Sequence, residues 1–261
     1  MSSRKEQKEQ ARLEREAKQA ELQQKAARDR RLKIIGGVIG LAVIAAFVAI
    51  VISTSGSGDE APPEAKNEVI ERFAGIPQSG VTVGEPDAKA TIVEFADLKC
   101  PFCADFAADS LPTVVDELVR SGKAKLVFKN LTFLDQFTPG EPDSTNAAKF
   151  AQAVGLQNKL WEFVDLWYLQ QKPENEVYAT ESYLKSVAAQ IPGVDVDKAW
   201  DNRSNPKVQE ELDAADALFG ELGLSGTPAF AVGADMDSLE VVSVNDLSDP
   251  QPLIDAVEAL Q

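Results

Sequence analysis

The sequence predicts an α/β domain carried behind a single transmembrane helix, and three observations predict it. Residues 34–52 form an unbroken run of 19 apolar residues without a charge. Short β-rich runs flank a helical stretch around the only two cysteines, Cys100 and Cys103. A nearly all-helical stretch from Asp143 to about Gly223 then leads into one more strand.

The apolar run, as a helix, would be about 28 Å long, close to the hydrocarbon thickness of a bilayer. The 33 residues before it carry 11 Lys and Arg against 6 Asp and Glu, a net of +5. The remainder carries 15 against 36, a net of −21. Arg28, Arg30, Arg31 and Lys33 lie just before the run. Positive charge stays inside, so the N-terminus is expected in the cytoplasm and the acidic part outside the membrane. A cleaved signal peptide fits less well: the n-region and h-region are too long, and no Ala-x-Ala site follows. The expected organisation is a basic cytoplasmic arm at 1–33, a transmembrane helix at 34–53, a linker at 54–80 and a domain at 81–261. In the arm, Leu13, Ala17, Ala20 and Ala27 keep heptad-like spacing, but Gln24 and Arg31 interrupt it. The arm reads as a solvated face, with at most weak attraction to anionic lipid. The linker reading rests on Ser, Gly, Pro and acids around Ala61-Pro62-Pro63-Glu64, with a short helix expected at 67–73. No basic stripe exists outside to neutralise phosphates, so nucleic acid is not an expected partner.

Cys100-Pro101-Phe102-Cys103 closes a very small loop if oxidised, which is a poor staple for a large domain. The pair therefore points to chemistry. The run 91–95 is β-rich and Lys123–Lys129 alternates as a second strand. Between them Pro101 suits a first helical position, making Cys100 the N-cap and Cys103 the third helical residue. Pro112 should kink this helix, and Arg120 and Gly122 end it. Unpaired N–H groups and the helix dipole at the N-terminus favour a Cys100 thiolate, the reactive form. Cys103 lies about one turn deeper. Cys100 is thus expected to be the exposed attacking sulfur and Cys103 the resolving one. The chain has no histidine, so zinc sites of four Cys or His ligands and Cys–His or Ser–His–Asp catalysis are excluded. Thiol–disulfide exchange needs neither metal nor imidazole, and no cofactor is expected.

Two further positions stay open on the residues alone. Glu94 is either a buried carboxyl with a raised pKa or an exposed strand carboxylate. Thr227-Pro228 fits a turn before an edge strand as well as a special proline.

The pattern Val93-Glu94-Phe95-x4-Cys-Pro-x-Cys, followed by a kinked helix and a strand, resembles the thioredoxin superfamily. Helical segments at 143–154, 159–170, 180–190 and 207–222, followed by Gly226-Thr227-Pro228-Ala229-Phe230, make the DsbA-like thiol–disulfide oxidoreductases the nearer resemblance. That resemblance implies a thioredoxin-like fold with a helical domain inserted at about 141–223. It implies that Cys100 is the nucleophile, Cys103 the resolving thiol and Glu94 a carboxylate beneath them that exchanges a proton with Cys103. It also implies that Thr227 and a cis Pro228 lie against the sulfurs and, with Pro101 and Phe102, meet an extended substrate. Phe102 departs from the histidine of the best-known oxidases of that family. With only Lys99 nearby as a positive charge, a less oxidising disulfide is expected.

Trp161, Phe163, Trp167 and Tyr168 give the insertion an aromatic helix, expected as core rather than a peptide groove. Leu253, Ile254, Val257 and Leu260 recur at helical spacing and are expected to cover the sheet. The expected activity is formation of disulfides in exported thiol-containing proteins, with a membrane redox partner recycling the pair. A reductase or isomerase of the same fold, or an anchored binding module with a structural disulfide, are the alternatives.

Overall fold

The computed structural model describes residues 63–261. The basic arm, the transmembrane run and the first part of the linker lie outside the described residues. Among the described residues no helix is long and apolar enough to cross a membrane.

A six-stranded sheet in the order β1-β2-β4-β3-β5-β6 runs through the domain. Its centre is β3 (Ala90–Asp97), buried at every position. Such a strand has no solvent face, which is why it reads Ala-Thr-Ile-Val-Glu-Phe-Ala rather than alternating with polar residues. β3 pairs in parallel with β4 (Ala124–Leu131) and antiparallel with β5 (Ala229–Gly233). β6 (Glu240–Val242) lies beyond β5 and forms one edge. The short β1 (Gln78–Ser79) and β2 (Thr82–Val83) form the other. Side chains alternate across β3. Val93 and Phe95 join Val127, Leu131 and Ala215 on one face. Ile92 and Ala96 join the larger cluster that contains Cys103, Phe106 and Trp161 on the other. Glu94, two residues from each of them, shares that second face.

The parallel connection from β3 to β4 is α2 (Pro101–Asp109), α3 (Leu111–Val114) and a π-turn (Val115–Val119). The expected kink is a break at Ser110, where the chain re-enters a helix with Pro112 at its start. Ser110 Oγ–H donates to the Leu247 carbonyl at 2.7 Å, which ties the break to the C-terminal segment. Gly122 adopts φ +75°, a left-handed turn that glycine accepts without strain, and the strand follows at once.

Between β4 and β5 the chain runs through α4 (Asp143–Gly155), α5 (Leu160–Leu169), α6 (Glu181–Ala188), α7 (Val196–Asp201) and α8 (Pro206–Glu221). Asp195 and Asn205 cap α7 and α8 by accepting the Lys198 and Lys207 N–H groups. α5 is buried at Trp161, Phe163, Trp167 and Tyr168, so its aromatics are core. α9 (Gln251–Glu258) covers the sheet with Leu253, Ile254 and Val257. Leu260 lies past the helix end and is 38% exposed, so it does not take part.

Contrary to expectation, residues 63–80 are not linker. α1 (Pro63–Arg72) and the segment to β1 belong to the domain. Val69 and Phe73 are buried in the main core, and the Phe73 ring meets Trp161 with centroids 5.9 Å apart. The Arg72 guanidinium pairs with Asp165 of α5.

Candidate active site

The end of β3 delivers Cys100 to the N-terminus of α2. Cys100 is the helix N-cap in extended conformation (φ −74°, ψ 119°), and Pro101 occupies the first helical position. Proline there gives up an N–H that has no intrahelical partner in any case. Cys103 falls one turn on, facing inward with no exposure. Both thiols are free.

The two sulfurs have opposite environments. Cys100 is held at about 7, below its usual 9.0, chiefly because the Cys103 thiol hydrogen-bonds to it. Burial opposes this, while Thr227 and the N–H groups of Phe102 and Cys103 add to it. Cys103 is pushed well above the ordinary thiol range, first by burial, then by its bond to Cys100 and by the charges of Cys100 and Glu94. Only Cys100 therefore carries an appreciable thiolate fraction near neutral pH.

Cys100 is less exposed than a bare helix N-cap would be, at 5%. The cause is the loop before β5. The Thr227–Pro228 peptide bond is cis, and the Thr227 carbonyl lies 3.5 Å from Cys100 Sγ, within reach of the thiol proton. Pro101 and Phe102 stand at the surface beside the sulfur, with Phe102 60% exposed. Next to Thr227 and Pro228 an open groove of about 410 Å³ runs along Gly226, Ala229, Val241 and Val242. The sequence-derived set thus falls in one place, with Pro101 and Phe102 exposed, Thr227 and Pro228 half-buried, and Cys103 and Glu94 buried; Cys100, expected to be exposed, is buried as well, under the Thr227–Pro228 loop.

Glu94 is buried, at 2% exposed. Burial raises its carboxyl from 4.5 to about 8, and the nearby Asp165 adds to this. The carboxyl is therefore largely protonated at neutral pH, next to a thiol that is also protonated. Such an acid can give its proton to the more basic Cys103 thiolate.

Lys99 does not support the thiolate. Its side chain is fully buried, and Nζ donates to Asp143 Oδ2 at 2.8 Å and to the Glu176 carbonyl at 2.5 Å. It faces α4 rather than Cys100. Asp143 in turn accepts the Tyr178 and Ala179 N–H groups. Asp97 completes this buried polar knot by accepting the N–H groups of Lys99 and Leu134 and the Ser144 hydroxyl.

Residues that sequence reasoning passed over as plain core hold the cysteine turn in place. Trp167 Nε1–H donates to the Leu98 carbonyl at 2.7 Å, and Tyr168 Oη–H to the Asp97 carbonyl at 3.2 Å. Gln171 Nε2–H₂ donates to the carbonyls of Leu98 at 2.9 Å and Cys100 at 3.1 Å. The Leu98 carbonyl lies between strand and helix, outside the ladder, while those of Asp97 and Cys100 also accept the Cys100 and Ala104 N–H groups. The available signal was the pairing of aromatic bulk with polar tips on one helix.

A strand-to-helix CxxC turn, unequal thiols, a buried carboxyl and a cis-proline loop against the sulfur define a thiol–disulfide exchange centre. The chain belongs to the thioredoxin family: the family model described as Thioredoxin matches residues 77–239. It is similar to the probable disulfide bond formation protein D of Bacillus cereus, 28% identical over 209 residues that cover 79% of this chain and 90% of that protein. A thioredoxin-like oxidoreductase from Silicibacter pomeroyi is 26% identical, with a TM-score of 0.52 over 74% of this chain and 95% of that one. Oxidised BdbD from Bacillus subtilis shares the fold at 20% identity, with a TM-score of 0.58 over 70% of this chain and 96% of that one. The chain is a protein thiol–disulfide oxidoreductase with a DsbA-like, thioredoxin-type fold.

Proposed function

We propose that this oxidoreductase introduces disulfides into exported proteins, with its domain outside the cell membrane and the run 34–52 as its anchor. The observation that carries the reading is the inequality of the two thiols, one at about 7 and the other well above 9, over a protonated buried carboxyl. In the oxidised protein a substrate thiolate attacks Cys100 Sγ. The new bond joins substrate sulfur to Cys100, and the Cys100–Cys103 bond breaks. Cys103 leaves as a thiolate and takes a proton from Glu94. A second substrate thiolate then attacks the substrate sulfur, closing the substrate disulfide and releasing the Cys100 thiolate. The substrate has lost two electrons and the CxxC pair has gained them. A membrane redox partner removes those electrons and restores the disulfide. Thr227 and Pro228 present backbone to the substrate chain, and Phe102 gives it an apolar contact beside the sulfur.

The name of the Bacillus cereus relative, a disulfide bond formation protein, supports the oxidising direction. Phe102 favours a second reading. Without a positive group at that position the thiolate is only moderately stabilised, which also suits reduction or isomerisation.

Cys103→Ala in cells separates these. An oxidase accumulates mixed disulfides through Cys100 with newly exported proteins. Absence of such adducts, with insulin reduction intact in the unmodified protein, marks a reductase.

A further inference from the structure

Glu94 is buried on β3, and the exchange reading needs its proton to be replaced in every cycle. On the active-site face Cys103 is wholly buried and Cys100 is 5% exposed, which leaves little access for water. Behind α2 the structure has another opening. A cavity of about 210 Å³ lies among α1, α2 and α5, ample for several water molecules. Ala104, one residue after Cys103, lines it, as do Asp165 and Tyr168. Its rim carries the exposed Glu68 and Ala108, so it is open to solvent.

Asp165 is the wall residue that matters. It is 3% exposed, and its carboxylate is paired with Arg72 of α1. Apolar packing alone would not place an acid there. It is close enough to Glu94 to raise that group electrostatically. Burial lifts Asp165 itself to about 7 against the pull of Arg72, with Glu68 adding to the rise. Glu94 and Asp97 from β3, Cys100 and Cys103 at the start of α2, Tyr168 and Asp165 from α5, and Arg72 and Glu68 from α1 make up the charged and titratable surroundings. Tyr168 is held as a neutral phenol, raised first by burial and then by Cys103 and Glu94, so it does not carry the proton as an anion.

We propose that Asp165 and the cavity behind α2 form the proton path that connects Glu94, and through it Cys103, with solvent. This deepens the reading of Glu94 given above and rests on it. When Cys103 leaves as a thiolate, Glu94 gives it a proton and Asp165 with cavity water returns one to Glu94. In the reverse step, Cys103 attacks Cys100 Sγ of a mixed disulfide. The Cys103–Cys100 bond forms, the bond from Cys100 to the substrate sulfur breaks, and the Cys103 proton leaves by the same path. The expelled thiolate takes its own proton from bulk water. Asp165 acts through Glu94 and is a positioning residue for its proton, not a catalytic one.

In the test, the reduced full-length chain is mixed with oxidised glutathione and products are followed by acid quench and mass. Formation of the Cys100–glutathione adduct reports the first step, and its closure to Cys100–Cys103 the second. Asp165→Asn is expected to leave the first step unchanged and slow the second about tenfold near neutral pH, with added imidazole restoring the rate. Ala108→Leu, at an exposed rim position that tolerates bulk, is expected to slow the second step in the same direction. Closure within twofold of the parent in both variants, across the pH range, overturns the proposal. If Asp165→Asn does not fold, Ala108→Leu decides alone. If the parent chain itself forms no adduct or fails to close it, the exchange reading fails rather than the proton path.

Discussion

Glu94 is more stable in the folded chain as a neutral acid, and that preference has a measurable sign. Its carboxyl moves from 4.5 to about 8 on folding, Asp165 from 3.8 to about 7 and Asp97 from 3.8 to about 6, each mainly through burial. Between those limits the folded chain binds more protons than the unfolded one, so these groups make stability fall as pH rises from about 3.8 to about 8. Cys100, lowered from 9.0 to about 7, works the other way: the reduced protein gains stability from about pH 7 to about pH 9. Glu94→Gln should flatten the falling limb and make the variant more stable than the parent above pH 8, by about 2–4 kcal/mol, in denaturant titrations across that range. Phe102→His should lower the Cys100 thiol further, read from the pH dependence of thiolate absorbance, because an imidazolium beside the sulfur favours its anion. At this scale the cysteines were legible because their spacing and Pro101 define a helix start. Glu94 was not, since alternation along a strand does not say which face is covered. Lys99 was misleading: a lysine ordinarily marks solvent, and its partner Asp143 is 44 residues away.

At the scale of elements, α5 carries the active-site turn. Trp167 stacks on Tyr178 with centroids 5.3 Å apart and donates to the Leu98 carbonyl from the same ring. Trp167→Phe keeps much of the packing and removes the donor. It is expected to cost about 1 kcal/mol, since the Leu98 carbonyl loses one of its two donors and keeps Gln171, and to change the rate of Cys100 alkylation as the turn relaxes. Lys99→Met leaves Asp143 buried without its cation. A loss of about 3–5 kcal/mol in urea unfolding is expected, because the uncompensated carboxylate costs more than the apolar contacts of methionine return. The helices α4, α5, α6 and α8 were legible from their helical patterning, whereas the short α7 at Val196–Asp201 was not expected. A short helix near α1 was expected, but not its packing into the domain, because the partners of Phe73 and Arg72 lie on a helix some 90 residues later in the chain.

For the whole molecule the parallel and antiparallel pairings around β3 bring together positions far apart in sequence: Phe95 lies opposite Ala229, one residue from Pro228. That register, rather than any local motif, puts the Thr227 carbonyl on Cys100 Sγ. The resemblance named the pair of sites; their contact required the sheet. The disulfide's poise is a property of the assembled domain as well. A Cys100 thiol near 7 matches the value of thioredoxin rather than that of DsbA. The reduction potential is accordingly expected below the about −120 mV of a strong oxidant, measured by equilibration with glutathione, and a value as low as about −270 mV would favour the reductase reading over the oxidase one. A value near the upper figure would mean that some contact other than those of Phe102, Cys103 and Thr227 stabilises the reduced form.

The most direct test is alkylation of the reduced protein by iodoacetamide, with each cysteine's rate followed by mass against pH. Cys100 should react with a midpoint at about pH 7 while Cys103 stays unmodified through neutral pH. Equal rates for the two, or a Cys100 midpoint at the ordinary thiol value, would contradict the division of labour between an attacking and a resolving sulfur.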